Sequence, residues 1–287
     1  MKQRDSNTAP DRTTLVQEAR ALRAHPDFDQ AVKAFCRGMI ETHAGRRLAN
    51  IGLGHTLGWA VAVLIVYLDH VSPEGTTTAQ LVDLCTKGGL GGPKAVRGAI
   101  GTLLAFELIA EEDHPTDGRA RRLRPRPLLL DIQADNVAAR LAALEIVQPL
   151  PAPARDWGRQ RHVMLAFYGG NVEAFARHQF RLYDGFPEIQ AFMDRASGYL
   201  LLLELLQNCG PTAGAGIPTA IQPSALAPRV DVSRTHLNKL LAAARDEGWL
   251  AIGPRSAEVF LAPDFHQRLQ HWIALEMAWT WWLVREV

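Results

Sequence analysis

One run of local patterns occurs twice in this chain of 287 residues, and that repetition limits its fold more than any other feature. Each run opens on an apolar helix, residues 59–68 in the first and residues 198–207 in the second. Each continues through a short helix, a turn, a longer amphipathic helix and two extended segments. A shift of about 140 residues lays Gly58 on Gly198. One residue more lays Val96 and Ile100 on Leu237 and Leu241. Few letters are shared, so the repeat is one of pattern, the signature of a structural unit used twice.

In the first run the spacing predicts a short helix over residues 76–86, with Thr77 or Thr78 as N-cap and Leu81 and Leu84 facing inward. A glycine-rich turn follows over residues 87–92. Pro93 then opens a helix, where its missing N–H is no loss. Val96, Ala99, Ile100, Leu103 and Leu104 form the apolar face of that helix. Two extended segments around the Pro-Thr-Asp-Gly turn at 115–118 read as a hairpin. In the second run Ser233 is an N-cap for a helix whose inner face is Leu237, Leu240, Leu241 and Ala244. A second strand-turn-strand follows, and an aromatic-rich helix closes the chain.

The segment SRTHLNKLLAAARDEGWL, from Ser233 to Leu250, resembles the recognition helix of winged helix-turn-helix proteins of the bacterial MarR-like superfamily. GPKAVRGAIGTLLAFELI, from Gly92 to Ile109, is similar but lacks the serine cap. The resemblance covers about half of the chain. It implies a mainly α fold with small β wings: two winged helix-turn-helix units plus connecting and terminal helices. The expected layout is a disordered tail over 1–12, then N-terminal helices and the first unit over 13–148. A proline-stiffened linker and middle helices follow over 149–197, then the second unit over 198–263 and the aromatic helix over 264–287.

A recognition helix buries one face and offers the other to the major groove. In the second unit that leaves Arg234, Thr235, Asn238 and Lys239 outward, beside the Ser233 cap and His236. Arg suits guanine edges and Asn suits adenine, while Lys suits phosphate. In the first unit Lys94, Arg97 and Thr102 face outward by the same count, and Gly98 and Gly101 leave that helix bare of side chains. The first wing carries Arg119, Arg121, Arg122, Arg124 and Arg126, a cluster suited to phosphates or a minor groove. The acids Glu111, Glu112, Asp113 and Asp117 stand nearby, so the competing reading is a solvated charge run. The second wing offers Arg255 alone.

Composition narrows the alternatives. The net charge is only +1, so any attraction to nucleic acid must be local. Cys36, Cys85 and Cys209 are scattered and form no Cys-x-x-Cys pair, which points to packed thiols in a reducing compartment, with a thiol sensor as the other reading. The histidines show no metal-ligand spacing. Residues 88–95 are glycine-rich but lack the Gly-Lys-Ser/Thr of a phosphate loop, and no nucleophile motif occurs. No cofactor, metal or catalytic role is expected. The N-terminus has no apolar leader, and the longest apolar run is too short to cross a bilayer, so a cytoplasmic protein is expected. The C-terminal helix carries Trp272, Trp279, Trp281 and Trp282, which suits either a core or a homodimer contact.

These readings converge on a transcriptional regulator whose partner is double-stranded DNA. Two others compete. A plasmid-type replication initiator also pairs two winged-helix units, but a more basic chain is expected there. A winged-helix protein-interaction module is expected to be more acidic, and the arginine cluster argues against it.

Overall fold

A computed structural model describes residues 12–72, 74–178, 182–210, 216–219, 222–253 and 258–287. The expected tail therefore lies outside the described residues, apart from Arg12. Among the described residues the chain forms 14 helices and two three-stranded antiparallel sheets.

The first half runs α1 (Arg12–Arg23), α2 (Phe28–His43), α3 (Arg47–Leu53), α4 (Thr56–Val71), β1 (Thr76–Thr77), α5 (Thr78–Lys87), α6 (Pro93–Ala105), β2 (Ile109–Asp113), β3 (Arg121–Pro125) and α7 (Pro127–Leu144). The second half repeats that order. It runs α8 (Ala154–Gly158), α9 (Arg161–His178), α10 (Pro187–Met193), α11 (Gly198–Gln207), β4 (Ile217–Thr219), α12 (Pro223–Arg229), α13 (Arg234–Asp246), β5 (Leu250–Ile252), β6 (Val259–Leu261) and α14 (Pro263–Val284). The sheet orders also match: β1-β3-β2 in one half and β4-β6-β5 in the other. The proline-rich stretch at 149–153 joins the two halves. The repeat thus includes the middle helices, which restate α1 to α3.

Single residues carry the repeat as well. Gly58 and Gly198 sit where a neighbouring backbone leaves no room for a side chain. A Cβ on Gly58 would stand 1.9 Å from the Gly52 carbonyl oxygen, and one on Gly198 would stand 1.8 Å from that of Phe192. Gly52 and Phe192 are each the penultimate residue of their short helix, α3 and α10. After the long helix of each half, Glu107 and Gly248 turn the chain into the next strand with φ of 55° and 75°.

The halves embrace reciprocally. α1 packs on α14 while its counterpart α8 packs on α7, and α2 packs on α11 while α9 packs on α4. Exchanged contacts of this kind are what a two-fold relation produces. One hydrophobic core runs through both halves and includes Phe35, Ile65, Leu103, Leu141, Leu203, Leu241 and Trp272. α4, the apolar helix with a hydropathy near that of a membrane segment, lies in this core through Val61, Ala62, Ile65 and Val66. No single described helix is long and apolar enough to cross a membrane; α3 and α4 reach that test only together, bent by 95°.

The C-terminal helix α14 is a core element. Trp272 and Trp279 are buried, and Trp279 stacks on Trp282 at 5.3 Å between ring centres. α1, α2, α7 and α9 pack around it, while Trp281 and Trp282 are half-buried.

Arg140 and Glu276 form a buried ion pair between α7 and α14. Counted from Pro127 and Pro263, they hold the same position in corresponding helices. Two equivalent positions that face each other lie on the axis relating the halves. The guanidinium lies 5.4 Å from the ring centres of both Phe35 and Phe167, on the counterpart helices α2 and α9, and its Nε donates to Asn136.

The thiols are packed groups. Cys36 and Cys85 are fully buried, and burial raises all three, Cys85 to about 11 and Cys209 to about 12. A thiol raised this far holds little thiolate near neutrality.

Candidate nucleic-acid interface

The long helix of the second half is shaped by its sequence as expected. The Ser233 hydroxyl accepts from the His236 backbone N–H at 3.1 Å, capping α13. Leu237, Leu240, Leu241 and Ala244 are buried. Arg234, Thr235, Asn238 and Lys239 are exposed, and none has a side-chain partner among the described residues. His236 does not join them. Its ring is half-buried, and Nε2 donates to the Ala196 carbonyl at 3.1 Å, which fixes it against the start of α11.

In the first half α6 starts at Pro93 and buries Val96, Ala99, Ile100 and Leu103. Leu104, expected on the same face, is half-buried. Lys94 and Arg97 are exposed and unpaired among the described residues. Thr102 departs from the expectation: it is half-buried, and its hydroxyl donates to the Gly98 carbonyl at 2.9 Å. This bond to the preceding turn draws the side chain back along the helix. Gly98 and Gly101 are exposed, and nothing lies within 4 Å of where their Cβ atoms would be. The backbone of α6 is therefore bare on its outer side.

The arginine cluster of the first hairpin is largely neutralised within the molecule. The register sets Arg122 opposite Glu112 and Arg121 opposite Asp113. Both pairs close as salt bridges, as opposite charges on facing strands do. Arg124 reaches down to Asp69 at the end of α4. The Asp69 carboxyl is raised above its ordinary value because its burial outweighs the nearby Arg124. Arg126 lies 3.7 Å from Glu107. Arg122 and Arg124 do share a strand face, as alternation requires, but both are half-buried and committed to carboxylates. Arg119 alone of the five is exposed with no acidic side-chain partner among the described residues. Arg121 and Arg126 remain exposed while paired. Four of the five arginines are thus paired, because the facing strand supplies Glu112 and Asp113, α4 supplies Asp69, and the turn before β2 supplies Glu107. Arg255 falls outside the described residues.

α3, which no local pattern of residues announces, ties the two long helices together. Gly52 of α3 packs against Leu103 and Leu108 of the first half. Two residues earlier, the Asn50 amide Nδ2 donates to the His43 carbonyl and to the Asp231 carboxylate, each at 2.8 Å. Asp231 stands in the turn between α12 and α13 with φ of 55°. His43 Nδ1 lies 2.8 Å from Asn50 Oδ1, an atom that only accepts, so the proton sits on Nδ1. Burial holds His43 below its ordinary pKa and keeps it neutral, which suits this bond. Every polar atom of the Asn50 side chain is thereby used, and α13 is held against the same short helix that supports α6.

Among the described residues no three His, Cys, Asp or Glu side chains gather as metal ligands. Comparison of the chain with protein-family models, with curated proteins and with solved structures gave no match.

Proposed function

We propose that the protein is a sequence-specific regulator of transcription that binds double-stranded DNA through two winged helix-turn-helix units in one chain. One observation carries the reading. Each half presents a long helix, held from behind by buried aliphatic residues, whose outer side bears exposed cationic side chains without acidic partners, Lys94 and Arg97 on α6 and Arg234 and Lys239 on α13, where Asn238 stands beside them. The order helix, strand, helix, helix, strand, strand in both halves supports assigning each to that class of unit. α13 is the reading helix of the second unit, with Arg234, Thr235 and Asn238 toward base edges and Lys239 toward phosphate. α6 is its counterpart: Lys94 and Arg97 bind phosphates, and the bare backbone at Gly98 and Gly101 admits close approach. Arg119 takes a phosphate beside the first unit, and Arg121 and Arg126 exchange exposed carboxylates for phosphates at little cost, since such pairs contribute roughly 0–1 kcal/mol.

The reciprocal packing of the halves sets the expected form of the target: two half-sites related by an approximate dyad but unlike in sequence, because α6 and α13 carry different side chains. Selection of bound sequences from random duplex DNA at near-physiological salt tests this. Enrichment of one bipartite site with dissimilar halves is expected. Failure to enrich any sequence, with no salt dependence of binding, overturns the reading in favour of a protein-interaction module. In the selected complex, Lys239→Ala is expected to weaken binding to all sequences alike and to lower the salt slope by about 1, while Asn238→Ala relaxes selectivity at one base pair.

A further inference from the structure

A cavity of about 250 Å³ lies between the two halves. Its wall contains counterpart residues from each. Leu53 and Met193 end α3 and α10, Trp59 and Tyr199 follow the crowded glycines, and Arg140 and Glu276 are the central ion pair. A space bounded by such pairs straddles the axis that relates the halves. Trp59, Val172, Met193 and Tyr199 pack on the core yet keep part of their surface uncovered. A dry cavity of roughly 150 Å³ accepts benzene, so this one suits roughly ten non-hydrogen atoms, the size of two fused aromatic rings.

Polar side chains of the wall are turned to the protein itself. Thr56 donates to the Met193 carbonyl at 3.0 Å, Tyr168 to the Gln133 carbonyl at 3.1 Å and Trp279 Nε1 to Asn171 at 2.9 Å. The Asn171 amide donates in turn to the Phe167 carbonyl, and His55 Nδ1 accepts from the Gly58 backbone N–H. The Tyr199 hydroxyl has essentially no surface open to the space. Arg140 and Glu276 match each other's charge. An anion here would stand beside Glu276 and a cation beside Arg140, neither with a counter-charge of its own. What the wall offers is apolar contact with aromatic rings, Trp59, Phe167 and Trp279 among them, which favours an aromatic occupant.

We infer that this cavity is a binding site for one uncharged aromatic molecule the size of two fused rings, seated between the halves and held by apolar contact without a hydrogen bond. The site stands independently of the DNA reading, since occupancy is measured on the protein alone.

Calorimetric titration of the full chain with naphthalene, a naphthoate and a naphthylmethylammonium ion tests it. Naphthalene is expected to bind at one site per chain. Either ion is expected to bind at least about 10-fold more weakly, since its charge would be buried unpaired. Ala60→Phe on α4 and Val172→Phe on α9 fill the space from opposite halves. Each is expected to weaken naphthalene by about 10-fold or more, because a close-packed interior leaves the displaced rings nowhere else to go. Circular dichroism checks that both variants are folded; should neither fold, the comparison of naphthalene with the two ions decides alone. No uptake of naphthalene by the parent protein overturns the inference. So does binding of either ion as tight as that of naphthalene, or undiminished uptake by both folded variants.

Discussion

Glu107 shows at the scale of one residue how the two halves solve the same problem unequally. Both must reverse the chain after the long helix with a left-handed residue, and one uses Gly248 while the other forces Glu107 to φ of 55°. A side chain in that region costs about 1–2 kcal/mol, and glycine gives back part of this through its freedom in the unfolded chain. Glu107→Gly is expected to stabilise the protein by about 0.5–1 kcal/mol in urea denaturation. It also releases Arg126 from its exposed partner. Histidines act at the same scale. His43, His55, His266 and His271 are all held below 6.5, each chiefly by burial. The unfolded chain then takes up protons that the folded chain refuses. Stability is therefore full above 6.5 and is lost as pH falls through that value toward the depressed folded values. Asp69 acts in the opposite sense nearer its ordinary 3.8, because its folded form is the readier to protonate. Denaturation curves taken between about pH 7.5 and about pH 5.5 are expected to shift to lower denaturant, with His43→Gln reducing the shift.

At the scale of elements, legibility followed how local the cause was. α13 was readable to its first residue because Ser233 caps it and its leucines recur at helical spacing. α6 was readable from Pro93 and Val96 for the same reasons. α3 was hidden because its stretch is rich in glycine, and what makes it a helix is burial of Ala49, Asn50 and Gly52 against elements distant in sequence. β1 and β4 are two and three residues long, and only pairing with β3 and β6 makes them strands. The charges of the first hairpin were visible as letters, but their pairing depended on strand register and on Asp69, neither of which spacing reveals. Asn50 lies where hidden and legible elements meet. Asn50→Ala strands the His43 ring and the Asp231 carboxylate, a loss of about 1–3 kcal/mol. It also lets α13 move relative to α6. DNA affinity is expected to fall by more than Thr235→Ala lowers it, although Asn50 is buried and touches no base; binding to isolated half-sites is expected to change little.

For the whole molecule, the exchanged packing of α1 on α14 and α8 on α7 makes the chain behave as a dimer folded from one polypeptide. Arg140 and Glu276 meet at its centre. Arg140→Met leaves a buried carboxylate without its partner and is expected to cost about 3–5 kcal/mol. The exchange Arg140→Glu with Glu276→Arg is expected to recover most of that loss, because Phe35 and Phe167 flank the position from counterpart helices. Urea denaturation of the single and double variants checks both.

That central pair has one more consequence. In any assembly of two identical subunits, a residue on the dyad must confront its own copy, and two guanidiniums or two carboxylates would repel there. Opposite signs are possible only where the two facing halves are unlike in sequence, as they are here. Cut between Gln148 and Ala154, the two fragments should therefore seek each other and shun themselves: mixed pairs form, while either fragment alone stays unassociated.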